Sequence, residues 1–297
     1  MLKRSRNRGA SPLLLVHGGA GPTGKKSDVI QEKQRVISEV VSRVWPQLLD
    51  GESAVDAVTD IVKQFEASRY FNAGYGAVMQ SDGLVRLSAS LMDGSKRKFS
   101  GVQLATHMVH PSQLAYALQS RPESVIGPLG AQLLARELGL PPENPVCVDQ
   151  VKRWASSLEP SDEAPDRHGT VGAVVLDAEN RLAAATSTGG NRVNAPDRIS
   201  DSATVAGNYA SLCAAISCTG IGEQIVDDGL AVRLETRVCD GRSMIEASDK
   251  MYDEALARSR NYGWIGTDRH GNWVMYWTTE MMTCAAMSRD LDEPVVG

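Results

Sequence analysis

The spacing of apolar and polar positions changes several times along the chain, and each change marks an expected element. SPLLLVH is an almost unbroken apolar run that predicts a buried strand, ending in the glycine turn HGGAG. VIQEKQRVISEVVSRVWPQLLDG has apolar residues at helical spacing and stops at a glycine. SAVDAVTDIVKQFEAS repeats that pattern behind a serine cap. NAGYGAVMQSDGLVRLSASLMDG predicts two strands around the turn SDG, and FSGVQLATHMV a further one. HPSQLAYALQSR and GPLGAQLLAREL read as helices, and PPENP with the run to Arg167 reads as loop.

The second half repeats the scheme. VGAVVLD and RLAAATST predict strands joined by the turn AEN, and ATVAGNYAS and LCAAISCTG two more. A helical stretch follows, GEQIVDDGLAVRLETRV and SMIEASDKMYDEALARSR, before final strands YGWIGTD and GNWVMYWTT around RHG. Because the strands gather in hairpins rather than alternating one by one with helices, the expected class is α+β. The expected architecture is a sandwich of two mostly antiparallel sheets with helices outside, not a doubly wound parallel sheet. The long irregular segment at about 155–169 has a length usually kept for functional or disordered loops.

Composition narrows the function classes. At 297 residues and 42% hydrophobic, the chain can bury a sizeable core. A net charge of −5, with basic clusters only at KRSRNR and SKRK, argues against nucleic acid as a partner. The run LLLV is too short for a signal-peptide core or a membrane span, which predicts a cytoplasmic protein without membrane contact. Cys147, Cys213, Cys218, Cys239 and Cys284 are odd in number and lack a C-x-x-C pair, so they read as buried reduced thiols. His107 and His110 read as a surface pair, because no third ligand of zinc type is arranged near them.

The distinctive chemistry lies where the loop meets the strand VGAVVLD, at Gly169-Thr170. A threonine at a strand edge is ordinarily structural, since β-branched residues favour strands. If the chain were cut before Thr170, however, that residue would carry a hydroxyl and a free α-amine on adjacent carbons. Such an amine titrates near ~7.7–8.0 and can take the proton of its own hydroxyl. Gly169, without a Cβ, tolerates unusual dihedrals and leaves its carbonyl open to attack.

Seven motifs accompany it in order: HGGAG (17–21), FNAGYG (71–76), SLMDG (90–94), HGTVGAVVLD (168–177), AAATSTGG (183–190), DRISDS (197–202) and SCTGIGE (217–223). In order and approximate spacing they resemble those of the plant-type asparaginases, the isoaspartyl-peptidase/L-asparaginase branch of the N-terminal-nucleophile hydrolases. The resemblance runs from about residue 12 to 285. It implies one four-layer αββα domain over residues 1–297, cleaved by itself into an α chain of 1–169 and a β chain of 170–297.

The resemblance also implies roles. Thr170 is carried over as autocleavage agent and nucleophile, and Thr188 as the second threonine beside it. Thr219 and Gly220 match the oxyanion positions, where one lost donor typically costs ~10²–10³ in rate. Asn72 lines the same site. Arg198 would grip a substrate α-carboxylate with two hydrogen bonds and Asp201 would take the α-ammonium, with Gly222 nearby. The implied substrate is a small amide or β-aspartyl dipeptide, no organic cofactor is needed, and two αβ units are expected to pair. Backbone carbonyls of Phe65, Glu66, Ser68, Phe71, Ala73 and Tyr75 would hold a structural sodium ion.

Some positions depart from the family pattern. Asp197 and Ser200 stand where glycines are usual, Ser88 replaces an aspartate, Asn191 follows STGG, Arg69 replaces a common proline, and Met281 replaces a glycine. These changes leave open a specialised member acting on another amide, glycosylasparaginase-like or pathway-specific. An uncleaved binding protein without enzymatic activity is the remaining alternative.

Overall fold

The computed structural model describes residues 2–6, 11–22, 27–158 and 169–297, so His168 and the acidic stretch just before it lie outside the described residues. The first elements in chain order are β1 (Leu2–Arg6), β2 (Leu13–Gly21), α1 (Ser27–Leu49), α2 (Ala54–Glu66), β3 (Leu87–Asp93) and β4 (Lys98–Ala105). There follow α3 (Pro111–Ala117), β5 (Val125–Ile126), α4 (Pro128–Glu137), α5 (Val148–Ser156), β6 (Val171–Leu176) and β7 (Leu182–Thr188). The remainder comprises β8 (Asn208–Ala210), β9 (Ala214–Gly220), α6 (Gly222–Asp228), α7 (Leu230–Cys239), α8 (Met244–Ala257), β10 (Tyr262–Asp268), β11 (Asn272–Trp277), β12 (Met281–Ser288) and β13 (Val295–Val296).

The strands form two sheets, β1-β11-β10-β9-β8 and β13-β12-β2-β6-β7-β3-β4-β5. Among the described residues, only the β4–β5 pair is parallel. The period of two along each strand sorts side chains into layers. On β2, Leu13 and Leu15 enter the core between the sheets while Leu14 and Val16 face α1 and α2. On β6, Val174 and Leu176 point inward, and Val171, Ala173 and Val175 point to the helices. A third core packs α6, α7 and α8 on the other sheet, through Ile216, Trp264 and Tyr276 among others. The α+β sandwich expected from the hairpin pattern is thus present, helices outside and sheets within. Strands buried on both faces also explain why VGAVVLD reads as an unbroken apolar run.

Asp177 pins the hairpin that carries the seam. Its fully buried carboxylate accepts from Glu179 N at 3.0 Å, Arg181 N at 2.9 Å and Arg181 Nε at 2.8 Å, closing the β6–β7 turn. It also accepts from Ala54 N at 2.9 Å at the start of α2, which Ser53 caps as expected. One carboxylate therefore ties the register of β6 and β7 to the helix that covers them.

Several expectations are corrected. HGGAG is not a turn: β2 continues through it to Gly21, because β12 pairs with it as far as Met281↔Gly21. That strand, β12, has no counterpart in the expected elements. Residues 77–86 are not a strand; they are held by cross-links such as Ser81 N to Asn194 O (3.0 Å) and Val193 N to Met79 O (3.2 Å). The expected loop after PPENP contains α5, whose Gln150 Nε2 and Trp154 Nε1 donate to Gly76 O and Gln80 O, both at 2.8 Å. Trp154 also packs against the apolar core, and Val148, Val151 and Trp154 recur at helical spacing, although the proline-bearing run around this short helix reads as loop.

Cys213 and Cys239 are joined in a disulfide with Cα atoms 5.5 Å apart, beside Glu235, while Cys147, Cys218 and Cys284 are free. The expectation of reduced thiols therefore fails for this pair, which spacing in sequence does not disclose. Among the described residues, no helix is long and apolar enough to cross a membrane.

Candidate active site

At one end of the inter-sheet core the apolar side chains give way to polar ones. The inward row of β2 runs Leu13, Leu15, His17; that of β7 runs Leu182, Ala184, Thr186, Thr188; that of β9 runs Ala215, Ser217, Thr219. On β6 the row Leu176, Val174, Gly172 ends at Thr170. Polar groups in a buried layer are costly unless they bond one another, and these do.

Thr170 lies one residue beyond the Val171↔Ser187 pair, opposite Thr188. Its hydroxyl donates to Thr188 Oγ1 at 3.1 Å, and Thr188 Oγ1 also accepts from Gly190 N at 3.1 Å. Asn72 braces the same corner: its carbonyl accepts from Gly189 N at 2.9 Å, its Nδ2 donates to Gly190 O, and its Oδ1 accepts from Val78 N at 3.0 Å. Gly169 is packed backbone to backbone against Gly19, and a Cβ on either residue would overlap the other. Gly19 has φ +112°, a conformation that itself favours glycine.

Thr170, Gly169 and Gly220 share a cleft of about 350 Å³ with Ala20, Asn191 and Glu280. Thr219, fully buried one residue before Gly220, accepts from Ala20 N at 3.3 Å. The structure therefore brings together Thr170, Thr188, Thr219, Gly220 and Asn72.

Arg198 and Asp201 form a second group, against Gly222. A Cβ on Gly222 would overlap Ser200 Oγ and crowd Asp201 Oδ1 and an Arg198 terminal nitrogen. Arg198 Nε donates to Glu223 Oε1 at 2.7 Å, and Arg198 Nη1 is buried without a partner. Asp201 Oδ1 accepts from Ser200 Oγ at 2.7 Å, and Oδ2 is buried without a partner. Burial pushes the Asp201 carboxyl up to about 6, against the opposing pull of the Ser200 hydrogen bond and the Arg198 charge. A part-buried guanidinium, paired with Glu223 at 2.6 Å, and a buried carboxyl, each with unused bonding capacity, are suited to a zwitterionic ligand.

The unusual residues have local partners. Ser200 is the hydroxyl on Asp201, Asp197 is paired with Arg86 at 2.8 Å, and Ser88 Oγ accepts from Leu104 N at 3.1 Å. Asn191 walls the cleft, and Met281 opens β12 opposite Gly21.

Around the loop after α2, the carbonyls of Glu66 and Phe71 crowd against Gly74 and Gly76, where any Cβ would overlap them. Those glycines leave a cradle of carbonyl oxygens, which fits a small hard cation. Phe65 O already accepts from Ser68 N at 3.0 Å and from the Ala67 N–H, and Ala73 O from Gly76 N at 3.1 Å.

Two groups went unread in the sequence. The buried Glu66 carboxylate accepts from Ser112 Oγ at 2.6 Å and Ser187 Oγ at 2.7 Å, with His110 Nδ1 at 3.3 Å. His110, expected at the surface, is thus part-buried, and α2 is tied to the strand that carries Thr188. The other is fully buried His17, whose Nδ1 lies 3.0 Å from Thr170 O and whose Nε2 lies 2.9 Å from Ser217 Oγ. Its HGGAG motif was legible; its direction required the strand parity of β2.

The sequence pattern of the asparaginase family matches residues 10–296. An isoaspartyl peptidase/L-asparaginase of Synechocystis is 38% identical over 275 residues, covering 88% of this chain and 83% of the relative. The isoaspartyl peptidase/L-asparaginase of Rattus norvegicus is 32% identical over 292 residues, with 93% and 86% covered. The isoaspartyl peptidase of Escherichia coli is 34% identical over 293 residues, with 91% of each chain covered.

Gly172 supplies the room for this buried arrangement, since a Cβ there would overlap Ser217 Oγ and His17 Nε2. Gly172→Ala is expected to lower unfolding stability by about 1–3 kcal/mol in urea titration. An unchanged midpoint would mean that the ring and hydroxyl move aside freely.

Proposed function

Because the chain belongs to the asparaginase family, we infer that it is a self-processing threonine amidohydrolase cleaving β-aspartyl dipeptides and L-asparagine. The observation that carries this reading is the Thr170 hydroxyl, 3.1 Å from Thr188 Oγ1 and bordering the cleft beside Gly220. In activation, Thr170 Oγ attacks the Gly169 carbonyl carbon. The C–N bond breaks as the ester C–O bond forms, the former amide nitrogen leaves as the α-amine, and water cleaves the ester into chains 1–169 and 170–297.

In turnover, Arg198 holds the substrate α-carboxylate and Asp201 its α-ammonium. Thr170 Oγ attacks the side-chain amide carbonyl while Thr219 and Gly220 stabilise the oxyanion, and Thr188 and Asn72 keep the hydroxyl and its surroundings in place. The α-amine gives a proton to the leaving ammonia or amine, then takes one from the water that hydrolyses the β-aspartyl ester. The cleft of about 350 Å³ beside the nucleophile has room for a leaving group larger than ammonia. A structural sodium ion in the carbonyl cradle of Phe65, Glu66, Ser68, Phe71, Ala73 and Tyr75 would hold the loop that carries Asn72.

Thr170→Ala is expected to stay one chain by intact mass and to lose kcat by roughly 10⁴-fold or more. Processing and hydrolysis that persist in that variant would remove the assignment and return the uncleaved binding protein to the front.

Asp201 must be ionised to hold an ammonium, so the contact is lost as pH falls through about 6. Protonation of the α-amine already lowers kcat/KM for asparagine by about tenfold per pH unit below its range. Asp201 is expected to steepen the fall toward about a hundredfold per unit below about 6, and Asp201→Asn to remove that added slope together with most of the activity. A wild-type profile without a break near pH 6 would assign the ammonium to another group.

We further propose pairing of two αβ units, supported by exposed Leu129 and Leu133 one turn apart on α4. Sedimentation at micromolar concentration is expected to give a dimer that Leu133→Glu dissociates; a monomeric wild type would end the proposal.

A further inference from the structure

His17 reaches Thr170 through the main chain rather than through its side chain. The only polar atom that Thr170's carbonyl offers is an acceptor, so the imidazole nitrogen 3.0 Å away, Nδ1, carries the hydrogen. Nε2 is then an acceptor and takes the hydrogen of Ser217 Oγ at 2.9 Å. Ser217 Oγ in turn accepts from Thr186 Oγ1 at 2.6 Å. The hydrogens of three buried groups on β2, β9 and β7 have one consistent direction, ending at the Thr170 carbonyl. Burial lowers the ring's pKa to about 3, so it remains uncharged at any pH at which the protein works.

Cleavage before Thr170 releases the residue's N-terminal side, after which its hydroxyl, its carbonyl and the following peptide hold it. The rotation about its Cα–C bond then decides where the α-amine and the hydroxyl point relative to the strand. We propose that neutral His17 is a positioning residue for the nucleophile: by gripping the Thr170 carbonyl it fixes the Thr170–Val171 peptide plane, and Thr188 fixes the hydroxyl, so that amine and hydroxyl are aimed by two contacts on opposite sides of one residue. A charged group could not serve as well, because a cation so close would depress the basicity of the α-amine. The proposal rests on Thr170 being the nucleophile.

The test exploits side-chain geometry. His17→Asn can keep an N–H donor near the position of Nδ1, His17→Gln places its donor farther out toward Ser217, and His17→Leu has none. Each is followed by mass for processing, by thermal unfolding for integrity, and by kcat and KM on a β-aspartyl dipeptide for the processed form. The Leu and Gln variants are expected to process more slowly and to lose about 10–100-fold in kcat with KM little changed, while the Asn variant recovers most of the loss. Equal losses in Asn and Leu variants, or wild-type kcat in the Leu variant, overturn the proposal. If the His17 variants fail to fold, Ser217→Ala decides: a lower kcat at unchanged KM supports the positioning role, and a wild-type kcat overturns it. Wild-type turnover in Thr170→Ala would instead remove the nucleophile assignment on which the proposal stands.

Discussion

The candidate chemistry depends on the pairing register of β6, which is held between β2 and β7 in the eight-stranded sheet. A slip of one residue would exchange the two faces of the strand. Val174 and Leu176 would then leave the inter-sheet core for the helices, and Thr170 would turn away from Thr188. Both faces of β6 are apolar and buried, so burial alone does not choose between them; the fit of each side chain to its own layer and the hairpin turn do. The Asp177 carboxylate, bonded to the hairpin and to the first turn of α2, secures the same register from the opposite end.

The polar end is a low-dielectric environment in which hydrogen bonds substitute for solvation. His17, Ser217 and Thr186 satisfy one another without any charge. Asp201 has an oxygen without a bonding partner among the described residues, and burial holds its carboxyl above the usual carboxylate range. The first group is satisfied internally, whereas the second keeps bonding capacity in reserve. Glycines make the geometry possible. Gly169 and Gly19 touch through their backbones, and Gly172 leaves space for a ring and a hydroxyl.

Much of this was legible beforehand. Hairpin grouping pointed to the sandwich, and the motifs around Thr170, Thr188 and Thr219 pointed to residues that do converge. Reading failed for short elements, or stretches of strand, whose partners lie far away in sequence. Helix α5 is held by Gln150 and Trp154 bonding to the 76–80 loop, and HGGAG extends as strand because β12 supplies its partner. The Cys213–Cys239 pairing is likewise a consequence of folding, which sets Cα atoms 26 residues apart in sequence only 5.5 Å apart in space.

The sequence by itself determined most strands of the core, the hairpin at Asp177, the family and the candidate threonine, because each is written in local patterns of apolar period, turn chemistry and motif. Tertiary structure alone decided that His17 faces Thr170, that Glu66 reaches Ser187, and that Ser200 bonds Asp201 beside Gly222. Those contacts join residues from separate elements across packed layers, and their existence depends on strand register and layer spacing, quantities that local sequence does not carry.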